Sequence, residues 1–133
     1  LGGPVGVLGP KGTNADVMAH ELVHAALFHR WGFIKRETAV PTWFDEGFAM
    51  QFDLRPGYGL AQACSGDGPP DLASLATPAG FFTADLEASS RHYAFAKLVV
   101  ADWLAKGLLT NDDLGDMELV AELAKSAVPD LCS

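Results

Sequence analysis

Residues 14–30 contain no glycine or proline, and His20, Glu21 and His24 sit in the middle of that run. A stretch of this kind reads as one helix. Thr13 and Asp16 are spaced as a capping box at its start, and Gly32 follows as a stop. Val17, Met18, Leu22, Val23, Ala25, Ala26, Leu27 and Phe28 cover more than one face, which predicts a helix buried on most sides. Buried charged groups need partners, so two histidines and a glutamate in such a place call for a reason. Four residues turn a helix by about 400° and raise it by about 6 Å. The imidazoles of His20 and His24 therefore point the same way and can close on one metal ion. Glu21 would lie beside that ion without being a ligand, free to take a proton from water.

A second block, Pro41-Thr42-Trp43-Phe44-Asp45-Glu46-Gly47, supplies a third ligand in Glu46. Thr42 can cap a helix over residues 43–53, with Glu46 in its first turn and Phe48, Ala49 and Phe52 as core contacts. Trp43 is expected to pack this helix against the first, and Asp45 to face solvent. Asp53 is a candidate acceptor for a ligand imidazole. Two neutral imidazoles and one carboxylate would leave a divalent ion at about +1, a charge suited to acidifying water. His29 lies about 140° around the helix from His24 and should not reach the same ion. On its own, Glu46 could also be read as an ordinary helix N-terminal charge.

HELVH, then 21 intervening residues, then the glutamate of PTWFDEGFA resembles the gluzincin clan of metallopeptidases. The likeness is greatest to the bacterial peptidase MA-like family, whose blocks read roughly HEL-x-H and P-x-W-x-x-EG-x-A. The aminopeptidase N family shares the second style of block. The resemblance covers about residues 13–105 and implies zinc on His20, His24 and Glu46, Glu21 as general base and acid, and a peptide or protein substrate. A less specific block, YAFAKLV at 93–99, implies Tyr93 as the hydroxyl that meets the oxyanion. A core aromatic is an equal reading of Tyr93. His92 is the alternative donor, since some gluzincins use a histidine there. Gluzincin domains normally carry a β-sheet ahead of the histidine helix. Only a dozen residues precede it here, with room for at most one short strand at 4–9. The chain is therefore expected to be a single metallopeptidase-like domain over 1–133, or the C-terminal part of a larger catalytic domain completed by an N-terminal domain or partner chain. A zinc-binding scaffold without activity is the rival reading, and an intact Glu21 argues against it.

Nine basic against seventeen acidic residues give a formal charge of −8, which argues against a nucleic-acid partner. No apolar stretch approaches the roughly 18 residues of a membrane span. Cys64 and Cys132 are the only cysteines. A bridge between them would imply an oxidising compartment and favour a secreted or periplasmic setting; two free thiols would favour the cytoplasm. Neither cysteine has metal-site spacing. Residues 33–40 read as an irregular connector and 55–70 as loop. A helical turn is expected at 72–76, broken by Pro78 and Gly80, then a longer helix over 89–107 and a last one before Pro129. Phe81 and Phe82 read as a core pair and Arg91 as a solvated charge. The predicted fold is mostly α, a compact irregular helical bundle about the metal site.

Overall fold

The computed structural model describes residues 15–32, 40–66 and 68–132. The expected capping box at Thr13, the short strand at 4–9 and most of the 33–40 connector lie outside them. Helix α1, Ala15–Trp31, matches the glycine- and proline-free run and ends at Gly32, whose φ of +78° suits a residue without a side chain. Its burial is narrower than its composition suggests. Only His20, Leu27 and Trp31 are buried, while Leu22 is 62% exposed and Met18 and Phe28 also reach solvent. The apolar residues are spread around the axis, and the described part of the protein covers one side.

Helix α2, Thr42–Ala49, is buried along almost its whole length and continues as a 3-10 turn, Met50–Phe52. Pro41 rather than Thr42 occupies its N-cap, with no side-chain cap; Thr42 is already helical, and its N–H bonds the Ala76 carbonyl. Two short helices follow, α3 (Leu60–Ala63) inside the expected loop and α4 (Pro78–Phe81), where proline starts a helix rather than breaking one. Between them lies the expected turn, Leu72–Leu75, as 3-10 helix.

Helix α5, Leu86–Ala105, is the scaffold of the molecule, packing on both α2 and α3. It begins three residues earlier than the pattern suggests because the Asp85 carboxylate accepts the N–H groups of Glu87 and Ala88. Ser89 instead ties its hydroxyl to the Thr83 backbone. A 3-10 turn at Asn111–Asp113, boxed by Thr110, leads to α6 (Met117–Ser126), which is capped by Asp116.

Gly47 fixes the distance between α2 and α5. A Cβ there would lie 2.7 Å from the Ala96 carbonyl oxygen and 3.0 Å from a Val100 methyl. Around this contact the aromatics form one core. Trp43 meets Trp103 edge-on at 5.7 Å, so it packs α2 on α5. The expected tie between α2 and α1 is made by Phe44 on Trp31, at 6.4 Å. The indole N–H groups of Trp31 and Trp103 donate to the carbonyls of Leu114 and Ala127, at 2.6 and 2.9 Å, and anchor the C-terminal third. Cys64 and Cys132 are bonded to each other, joining the end of α3 to the C-terminus. The bridge favours a secreted or periplasmic setting. Among the described residues there is no strand, and no helix is long and apolar enough to cross a membrane.

Candidate metal centre

His20 and His24 come from the middle of α1, one turn apart, and Glu46 from α2 packed across it. The Nε2 atoms of the two histidines lie 2.9 Å apart, and Glu46 Oε1 lies 3.1 Å from His20 and 2.9 Å from His24. All three side chains are largely buried.

The far side of each ring determines what these atoms can be. His20 Nδ1 is 3.0 Å from Asp53 Oδ2, and His24 Nδ1 is 2.9 Å from Asp45 Oδ1. Ionised carboxylates only accept hydrogen bonds, so both Nδ1 atoms carry their hydrogens and donate. In neutral imidazoles each Nε2 is then a lone pair. Two lone pairs and a carboxylate oxygen converge on one point, an arrangement that only a cation stabilises. The ligand atoms are the types, and lie at about the spacing, that a small divalent ion with bonds near 2.1 Å accepts. The cluster can hold a metal ion.

Without a metal, a proton takes that place. Burial alone would lower the pKa of His24, but hydrogen bonds to Asp45 and Glu46 more than reverse this and raise it to about 10. Burial likewise pushes Glu46 up, and its bonds to the two histidines pull it down to about 2. Asp53 is fully buried and still held below the usual carboxylate range, because bonds from Arg55 and His20 outweigh the effect of burial.

Glu21 is half-buried on α1 next to His20. The Tyr93 ring, from α5, stands edge-on to the His20 ring at 6.2 Å. Burial raises the pKa of its phenol, and the charges of Glu46 and Glu21 raise it further. His92 points elsewhere, its Nδ1 donating to the Phe81 carbonyl at 2.8 Å. His29 is exposed and outside the cluster.

Further readings of the sequence change here: Phe52, expected as a core contact, is 47% exposed. Asp45 is buried, not solvent-facing, and holds His24. Arg91 is half-buried against Gly66 rather than solvated. Phe81 is fully buried but Phe82 is not, so the two are no core pair. Arg55, unremarked in the sequence, forks onto Asp53. An arginine two residues after Asp53, itself a candidate acceptor for an imidazole, was the available signal.

Comparison with family profiles, curated proteins and solved structures finds no match for the chain.

Proposed function

We propose that the protein is a zinc-dependent peptidase, with His20, His24 and Glu46 holding the ion. The observation that carries this reading is the convergence of two imidazole lone pairs and a carboxylate oxygen on one point. Bound there, zinc would acidify a water and polarise a peptide carbonyl.

The remaining chemistry belongs to the chain. Glu21 takes the proton of the attacking water and returns it to the leaving amine, acting first as base and then as acid. Tyr93 donates its hydroxyl hydrogen to the developing oxyanion. Its raised pKa keeps the phenol protonated, as a donor must be. His92 is the weaker candidate, because with its hydrogen on Nδ1 the other nitrogen of a neutral ring can only accept. Asp45 and Asp53 hold the ligand rings in orientation.

The test is zinc content measured together with cleavage of a mixed unstructured peptide pool, for the natural chain and Glu21→Gln. The expected result is one zinc in each and cleavage by the natural chain alone. Zinc without cleavage in both would make the protein a metal-binding scaffold, and no zinc in either would sink the reading.

A further inference from the structure

Asp53 has no solvent exposure at all, and a buried carboxylate is stable only with its charge balanced and its lone pairs used. Arg55 does most of this. Its Nε donates to Oδ1 at 2.8 Å, its Nη2 to Oδ2 at 2.6 Å, and its backbone N–H also reaches Oδ1 at 3.3 Å. The same Oδ2 accepts the Nδ1 hydrogen of His20. The guanidinium is itself held, lying over the Tyr58 ring at 5.4 Å. The main chain of Asp53 is pinned separately, its carbonyl accepting from Lys97 on α5 at 3.1 Å.

From this geometry we infer that Arg55 is a positioning residue for the metal centre, acting on His20 through Asp53. The inference rests on the zinc reading above. A carboxylate can rotate about its bond to the chain, and the guanidinium fork stops that rotation with Oδ2 facing His20. The Asp53–His20 bond then turns the imidazole so that Nε2 meets Nε2 of His24 and Oε1 of Glu46. Without the fork, Asp53 would keep His20 as its one side-chain donor and hold an uncompensated charge in the interior. Turning to find another cation would release the His20 ring. Lysine can balance the charge but cannot fix the plane of the carboxylate, since its ammonium is a point donor.

The experiment measures zinc affinity by competition with a chromophoric chelator for the natural chain, Arg55→Met, Arg55→Lys, Asp53→Asn and the double variant Asp53→Asn/Arg55→Met. Far-UV circular dichroism of each metal-free chain reports the fold. Arg55→Met is expected to lose about tenfold or more in affinity, within the range for residues that orient a ligand, with Arg55→Lys in between. On the Asp53→Asn background, removing Arg55 should cost less than about twofold, because the route through Asp53 is already cut. Unchanged affinity in Arg55→Met, or a full second loss in the double variant, overturns the inference. If Arg55→Met does not fold, Arg55→Lys decides alone: weaker binding supports the role and natural affinity overturns it. A natural chain that binds no zinc overturns this inference and the peptidase reading together, whereas zinc in the natural chain with no effect at Arg55 overturns this one only.

Discussion

The Nε2 atoms of His20 and His24 lie 2.9 Å apart, while their Nδ1 atoms are each committed to a separate aspartate. A proton on His24 stabilises this approach in the metal-free protein, and its pKa is raised to about 10. A metal ion bound by the cluster would therefore compete with this proton for one position. Binding at neutral pH should release about one proton from His24, so the apparent association constant should rise about tenfold per pH unit between roughly pH 7 and 9. Calorimetric titration in buffers of different ionisation enthalpy checks this. An affinity independent of pH in that window would mean that His24 is neutral before the metal arrives.

The same shifts set the stability of the metal-free protein. His24 is raised from 6.5 to about 10, so its contribution is complete below about pH 6.5 and is lost as pH rises through about 10. Glu46 is lowered from 4.5 to about 2, so its contribution is complete above about pH 4.5 and is lost as pH falls through about 2. For these two groups, chelator-treated protein should be most resistant to urea between about pH 4.5 and 6.5 and should weaken steadily toward pH 10. A midpoint that climbs from pH 6.5 to 9 would contradict the assignment.

Asp45 gives a sharper test of ring orientation. Asp45→Asn keeps the size of the side chain, but an amide can offer His24 Nδ1 a donor as readily as an acceptor. Zinc affinity should fall about 10- to 100-fold, the usual cost of losing such a partner, with the helices retained by circular dichroism. Unchanged affinity would show that helix packing alone orients His24.

The histidine pair of the candidate site was legible in the sequence because helical spacing is a local property: residues 20 and 24 share a face whatever surrounds them. The partners of those side chains were not. Asp45 precedes Glu46 by one residue, about 100° around the helix, and a wheel cannot say whether that direction meets α1 or water. α2 is buried on nearly every side, so both directions turned out to be interior. For α1 the reverse holds: its apolar content suggests burial that Leu22 and Met18 do not have. Helix starts shifted for a third reason. Ser89 and Asp85 are both competent caps, and the choice depended on Thr83, which engages Ser89 in the folded chain. The disulfide was one of two open readings, since the sequence could not report the 5.5 Å between the two Cα atoms.

Gly47 lies next to Glu46 of the candidate metal centre, and its missing side chain lets α5 approach. In Gly47→Ala the new methyl would meet the Ala96 backbone first, which cannot swing away as the Val100 side chain can, so α2 and α5 must separate. Stability should drop by about 1–3 kcal/mol, the usual range for overpacking, and metal affinity should fall with it as Glu46 moves from the histidines. Urea unfolding and chelator competition on one variant check both. A stability loss with natural metal affinity would mean that α2 carries Glu46 to its place independently of α5.

The bridge between Cys64 and Cys132 closes a sequence separation of 68 residues. Cross-links of long segments stabilise mainly by restricting the unfolded chain, so the double variant Cys64→Ala/Cys132→Ala should lose about 2–4 kcal/mol. The candidate metal-binding side chains reside on α1 and α2, whereas the bridge joins the end of α3 to the C-terminus. Reduction should therefore lower the urea midpoint while the folded protein binds metal as before. If reduction abolishes metal binding below the unfolding transition, the bridge also holds the centre together, through α3 and the α5 face that carries Tyr93.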